Sequence, residues 1–206
     1  MIAKAGFAYQ LPEDYDDFRA APLLCAGIIG WRSLKLSGAK KGETLGLFGF
    51  GASAHIVVQT ARYLGIEVFV FSRSKEHQEL AKKLGASWAG TADQHPPRPL
   101  DRAIVFAPAG KVALDALRHL LKGGTVAINA VYMDNIPEID YNRLLSGEKT
   151  IRSVTNLTRR DATEFLELAP KIPVRTEVEI FEFNDLPKAL LLLKQGRIQG
   201  AAVLKI

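Results

Sequence analysis

The stretch TLGLFGFGASAHIVVQTARYLG, residues 44–65, is the part of the sequence that most clearly indicates the fold. Residues 44–50 form a short apolar run that is typical of a buried strand. Residues 52–65 carry apolar side chains at helical spacing and end in a glycine, a common helix terminus. The glycines between the two segments mark a tight turn. A strand, a glycine turn and a helix in this order predict the first unit of a parallel α/β sheet.

The same alternation continues along most of the chain. Near-continuous apolar strands indicate a sheet that helices cover on both faces, and strand–helix–strand connections are right-handed. We therefore predict an α/β fold with a doubly wound parallel sheet, the Rossmann fold, followed by a short C-terminal appendage. Besides the opening pair, the pattern predicts strands at 66–72, 86–90, 103–108, 125–131 and 150–156 and helices at 20–37, 75–85 and 111–124.

The composition narrows the classes of partner. The chain has 206 residues and a net charge of +5, and its basic residues are spread out without a dense stripe, so no nucleic-acid partner is expected. No run of about 18 apolar residues occurs, so we expect no membrane span. A single cysteine and no signal peptide favour a reducing cytoplasm.

The glycine turn has the pattern G-x-G-x-x-A, which is typical of dinucleotide binding. Gly49 permits the tight turn, Gly51 allows a pyrophosphate to approach the backbone, and Ala54 lets the helix pack on the strand. The following helix points its N-terminus at the phosphates. The carboxyl ends of later strands should line the nicotinamide side. The predicted cofactor contacts of the turn and of those strand ends are Gly49, Phe50, Gly51, Ala52, Ser53, Ala54, Ala107, Pro108, Asn129, Ala130 and Val131.

The end of the second strand favours NADP over NAD, which is the second choice. An acidic residue there would bind the ribose 2′-hydroxyl of NAD, but the sequence has Ser72, Arg73 and Ser74 instead. The Arg73 guanidinium suits a 2′-phosphate, the two serines add hydroxyl donors, and Lys75 adds charge. The alternative is an arginine in a solvent-exposed loop.

These residues resemble the nucleotide-binding half of zinc-dependent medium-chain alcohol dehydrogenases. The resemblance runs from about residue 7 to the C-terminus and is most specific in PLLCAGI (22–28) followed by the glycine loop. It implies reversible hydride transfer between an alcohol and an aldehyde or ketone. It also implies a remnant of a catalytic-domain segment at 1–19, a dinucleotide-binding domain at 20–156 and a return segment at 157–206.

The resemblance implies that Cys25 is a ligand of the catalytic zinc. A catalytic zinc needs about three protein ligands, and the family supplies the others from a segment that would precede residue 1. We therefore expect Cys25 to be a buried thiol, zinc not to bind stably, and an alcohol or aldehyde substrate to require the missing domain. The four histidines, His55, His77, His95 and His119, are expected at the surface or at edges.

The sequence departs from the family pattern in two places. Ile29 replaces a common threonine beside the nicotinamide, and Ala201 follows Gly200 where many relatives have an arginine, with Arg197 in a different register. Two alternatives stay open: a non-catalytic dinucleotide-binding module that acts as a sensor or partner subunit, and part of a zinc-free quinone or enoyl reductase. The edge strand at 150–156 and the apolar tail at 174–206 predict a homodimer.

Overall fold

Six parallel strands form the central sheet of the computed structural model, which describes residue 2, residues 4–172 and residues 174–206. Strand order along the sheet is β3-β2-β1-β4-β5-β6, with β1 in the middle and the direction of winding reversing beside it. The order is that of a doubly wound dinucleotide fold, so the predicted fold class is confirmed. The six strands are β1 (Thr44–Phe48), β2 (Glu67–Phe71), β3 (Trp88–Gly90), β4 (Leu100–Val105), β5 (Leu120–Ile128) and β6 (Thr150–Ser153).

Helices cover both faces of this sheet. All five residues of β1 are buried, because apolar side chains pack against it from both sides. One core contains Leu47, Val57 and Val70, and the core on the opposite face contains Phe48, Phe69 and Leu117. The helices are α1 (Asp17–Pro22), a π-helical turn (Leu23–Gly27), α2 (Ile28–Ser37), α3 (Ala52–Tyr63), α4 (Lys75–Lys83), α5 (Gly110–His119), α6 (Arg159–Leu168) and α7 (Leu186–Lys194).

The predicted elements are present, and their bounds differ at a few ends. The predicted helix 111–124 ends at His119, and β5 begins at the next residue. Leu120 pairs with Leu100, and Gly123 takes a φ of 73° that a helix does not allow. The glycines after α5 therefore belong to an irregular strand start. The helix predicted from residue 20 begins at Asp17, because the Asp16 carboxylate accepts the Arg19 N–H and caps it.

A buried carboxylate joins α6 to α2. Asp161 is 1% exposed, and its side chain accepts hydrogen bonds from Arg32 at 2.9 Å and from Lys35 at 3.0 Å. It also forms a capping box with Thr158 at the start of α6. Burial raises the pKa of Asp161, but the hydrogen bonds from Thr158, Lys35 and Arg32 outweigh it and hold the pKa below its usual range. The carboxylate therefore stays ionised and ties the two helices together.

The C-terminal segment adds a second, two-stranded parallel sheet, β7 (Val178–Glu182) and β8 (Ala201–Lys205), with α7 between the strands. Helix α3 holds the chain just before β7 by two side chains one turn apart. Gln59 pairs with both backbone polar groups of Arg175, at 2.8 and 2.9 Å, and His55 Nε2 accepts the Glu177 N–H at 3.3 Å. Within the described ranges, no helix is long and apolar enough to cross a membrane.

Candidate functional site

A cleft of about 1150 Å³ runs along the carboxyl ends of the central strands. Ligands of open α/β sheets bind at this edge, beside the strand where the winding reverses. Its walls come from the turn after β1, from the loops after β4, β5 and β6, from the π-helical turn and α2, and from the C-terminal segment. The predicted contacts that line it are Gly49, Phe50, Gly51, Ala52, Ser53, Ala54, Ala107, Pro108, Asn129, Ala130 and Val131.

The two glycines of the turn have different local constraints. Gly49 has a φ of 90°, and a Cβ placed there would lie 2.9 Å from the Ala107 backbone nitrogen. A side chain at this position would strain the turn and push on the loop after β4. A Cβ at Gly51 would meet nothing within 4 Å, because this residue faces the open cleft. The space that Gly51 leaves free is therefore available to a ligand that approaches the backbone.

The N-terminus of α3 is open, whereas those of α4 and α5 are occupied. Gly51 precedes α3, and no side chain caps the helix. By contrast, Ser74 accepts the His77 N–H at the start of α4, and the Asp134 carboxylate accepts the Gly110 N–H at the start of α5. Uncapped N–H groups and the partial positive charge of a helix start attract anions. Of these three helix starts, α3 is therefore the one suited to a phosphate.

The three residues predicted to select the cofactor lie directly after β2, outside the residues that line the cleft. Arg73 is exposed and Ser72 is half-buried. The Ser72 backbone is fixed on both sides, because its N–H donates to Gly90 and its carbonyl accepts the Gln78 side chain at 2.6 Å. The Ser74 hydroxyl is engaged as the cap of α4 and also contacts Glu76.

The loop after β5 is held in place from the opposite side of the cleft. Asn129 donates from Nδ2 to the Ser33 hydroxyl at 2.8 Å, and Ser33 donates to the Ile29 carbonyl at 2.8 Å. The Asn129 side chain therefore joins the end of β5 to α2 and positions the backbone of the loop. Val131 projects into solvent.

The histidines occupy different environments. The surface or edge placement expected of His55 is wrong: it is fully buried between α3 and the C-terminal segment, and burial lowers its pKa to about 4. The imidazole accepts the Glu177 N–H at Nε2, which requires that nitrogen to be unprotonated, whereas Nδ1 is buried without a hydrogen-bond partner. His77 is half-buried, lines the cleft, and contacts the Ile198 carbonyl at 3.1 Å.

The C-terminal segment and the loop after β6 also line the cleft, which the sequence did not predict. Both regions lie far from the glycine motif along the chain and contribute mainly apolar or small side chains. No local pattern signals such a contact, although Asn156, with a φ of 55°, marks a sharp turn there. The additional lining residues are Val154, Thr155, Asn156, Leu157, Leu193, Gly196, Ile198 and Gly200.

Comparison with known proteins identifies the family. The sequence profile described as zinc-binding dehydrogenase matches residues 54–171. A protein of Mycobacterium tuberculosis named "Probable alcohol dehydrogenase AdhA" is 45% identical over 202 residues, which cover 98% of this chain and 58% of that protein.

The chain belongs to the zinc-binding dehydrogenase family.

Solved structures agree with this assignment. The alcohol dehydrogenase of the archaeon Aeropyrum pernix superimposes with a TM-score of 0.83 at 25% identity, covering 96% of this chain and 61% of that one. A Helicobacter pylori structure described as CAD complexed with NADP(H) has the same fold, with a TM-score of 0.82 at 23% identity over 95% of this chain and 57% of that one. The chain thus spans less than two thirds of the length of these relatives.

The environment of Cys25 also differs from expectation. The prediction of a buried thiol is wrong: Cys25 is exposed and lines the cleft. It lies in the π-helical turn, whose other side buries Leu23 and Gly27 against the core, so Cys25 faces away from the core. Among residues 2, 4–172 and 174–206, no three His, Cys, Asp or Glu side chains are grouped so that they could hold a metal. The described residues therefore do not fit a catalytic zinc by themselves.

Proposed function

We propose that this protein is the NADP(H)-binding portion of a zinc-type alcohol dehydrogenase, an enzyme that interconverts an alcohol and an aldehyde or ketone by hydride transfer. The observation that carries the proposal is the uncapped start of α3, reached through the turn at Gly49 and Gly51, which opens into the cleft. Membership of the zinc-binding dehydrogenase family supports the same chemistry.

Each part of the cleft has a role in this proposal. The pyrophosphate would be held at the start of α3, where backbone N–H groups of the turn can donate to it and Gly51 leaves room for close approach. The nicotinamide half would be held by the loops after β4 and β5. There Ala107, Pro108, Ala130 and Val131 offer small or apolar contacts, and Asn129 fixes the loop through Ser33. These residues bind and orient the cofactor, and the cofactor itself accepts or donates the hydride.

The adenosine half reaches the loop after β2, and we propose that it carries a 2′-phosphate. This loop has no acidic residue at the strand end, and the exposed Arg73 offers a planar cation with several donors. NADP(H) is therefore the preferred cofactor, with NAD(H) as the weaker ligand.

Alcohol oxidation also depends on the metal. Cys25 is the one residue of this chain that the family resemblance makes a zinc ligand. We propose that zinc does not bind stably to Cys25 alone, and that this chain does not turn over an alcohol unless further zinc ligands are supplied. Metal analysis and an assay of alcohol-dependent NADP⁺ reduction test this, with Cys25→Ser as the control. The proposal predicts no stoichiometric zinc and no turnover in either protein. One zinc per chain that is lost in the variant would contradict it.

A second candidate is a dinucleotide-binding module that has no turnover of its own. The lack of a metal-binding group among the described residues favours it, and the fit of the cleft to a dinucleotide is the same in both cases. The two candidate functions can be separated by adding the segment of a relative that carries the other zinc ligands and then measuring turnover. Recovery of alcohol oxidation supports the enzyme, and none supports the module.

We also propose a cytoplasmic homodimer. Strand β6 is at the edge of the sheet and its residues are largely exposed, so its outer side can pair with a second copy. The C-terminal segment adds exposed apolar side chains, among them Phe183, Leu190 and Leu193.

A further inference from the structure

The start of α4 contains an acidic residue that the cofactor loop has to accommodate. The Ser74 hydroxyl accepts the His77 N–H at 3.2 Å and donates its own proton to the Glu76 carboxylate at 2.6 Å. A hydroxyl has one proton to donate. While Ser74 donates to Glu76, it therefore has none for a phosphate oxygen, although it belongs to the loop that would bind a 2′-phosphate.

Charge acts in the same direction as the hydrogen bond. Glu76 is exposed in the first turn of α4, three residues after Arg73. The hydrogen bond from Ser74 lowers the pKa of Glu76, so the side chain is anionic at neutral pH. An anion beside the site repels a phosphate. It also partly neutralises the positive potential of Arg73 and of the start of α4, which would otherwise attract the phosphate.

We propose that Glu76 weakens the preference of this protein for NADP(H), by competing with the 2′-phosphate of NADP(H) for the Ser74 hydroxyl and for the positive charge of the loop. The inference rests on the proposed function, because it assigns the loop after β2 to the adenosine ribose. It makes Glu76 a positioning residue that limits the advantage of NADP(H) over NAD(H) without touching the nicotinamide.

Two variants separate the two effects. Glu76→Gln removes the charge but keeps an oxygen that can accept the Ser74 proton. Glu76→Ala removes both and frees the hydroxyl. Glu79→Gln is the matched control, because Glu79 is also exposed on α4 but lies one turn further along.

The experiment is calorimetric titration of the protein with 2′,5′-ADP and with 5′-AMP, which differ by the 2′-phosphate. We expect Glu76→Gln to bind 2′,5′-ADP about five- to tenfold more tightly than the wild type, and Glu76→Ala at least as tightly as that. Binding of 5′-AMP should not change in any variant, and Glu79→Gln should bind both probes as the wild type does.

Several results would overturn the inference. An unchanged affinity for 2′,5′-ADP in both Glu76 variants would show that the carboxylate does not compete. An equal gain in Glu79→Gln would show a general effect of charge. A loss of 5′-AMP binding in Glu76→Gln would show that Glu76 instead accepts from the ribose hydroxyls. In all three cases the wild type still binds nucleotide, so the proposed dinucleotide-binding role survives. A wild type that binds neither probe contradicts both.

Discussion

The Nε2 atom of His55, in the first turn of α3, accepts the backbone N–H of Glu177 at 3.3 Å. This contact joins the helix that starts at the proposed pyrophosphate site to the segment that leads into β7. It requires a neutral imidazole, because a protonated ring has no acceptor. The stability of the protein should therefore depend on pH in a range set by one side chain.

The first prediction concerns that dependence. Burial lowers the pKa of folded His55 to about 4, whereas an imidazole in an unfolded chain titrates near pH 6.5. Between these values the unfolded state binds more protons, so the stabilisation is complete above about pH 6.5 and is lost as the pH falls. We expect the free energy of unfolding to drop by up to about 3 kcal/mol across this window. Urea unfolding at a series of pH values measures it.

The control for this prediction is a pair of histidine variants. His55→Gln should flatten the dependence above about pH 4.5, and His95→Gln, at an exposed position, should not. The comparison stops near pH 4.5 because of Glu164. The hydrogen bond from Lys35 lowers the pKa of Glu164 to about 2, so protonation of this carboxylate also reduces the stability of the folded protein below pH 4.5. Equal slopes in the wild type and His55→Gln would refute the assignment to His55.

The second prediction concerns cofactor choice. Replacing Arg73 by Ala should weaken NADPH binding roughly tenfold or more and leave NADH binding nearly unchanged, because a charge-assisted hydrogen bond to the 2′-phosphate is lost. Fluorescence titration with both reduced cofactors measures this. Lys82→Ala removes an exposed charge from the far end of α4 and should affect neither. An Arg73→Ala variant with wild-type affinity for NADPH would refute the role of Arg73.

The third prediction concerns assembly. The Val154 N–H donates to the Ile128 carbonyl of β5 at 2.8 Å. Because backbone N–H groups alternate in direction along a strand, the Ser153 N–H points away from β5, toward the side where a second copy would pair. Light scattering should report about twice the chain mass for the wild type and a shift toward monomer for Ser153→Pro, which lacks that donor. Ser153→Ala keeps the N–H and should remain dimeric. A wild type that is monomeric at every concentration would contradict the proposal.

The sequence predicted the fold well because its signals are local. Strand, glycine turn and helix follow one another at Gly49 and Gly51, and short apolar runs bounded by glycines and turn residues are typical of strands buried from both faces. The helix predicted over 111–124 shows where local signals fail. The helical pattern continues past residue 119, but these residues form the start of β5 because they pair with β4.

Contacts across the chain explain the errors at the site. Cys25 sits in an apolar run that suggests burial, but the π-helical turn directs it to the cleft. His55 is buried because residues 175–177, more than a hundred positions away, cover it. Ser74 was predicted to donate a hydrogen bond to phosphate. Only the folded start of α4 shows that the Ser74 hydroxyl already donates to the Glu76 carboxylate. None of these relationships leaves a periodic pattern in the sequence.

The most direct test of the central claim is NADPH titration of a Gly51→Ala variant. An added Cβ meets no protein atom within 4 Å, so thermal unfolding should match that of the wild type. The same methyl group would enter the space proposed for the pyrophosphate, and NADPH affinity should fall by about tenfold or more. Loss of NADPH binding with unchanged unfolding is the result expected if the pyrophosphate binds at the start of α3. A Gly51→Ala protein that binds NADPH as tightly as the wild type would contradict it.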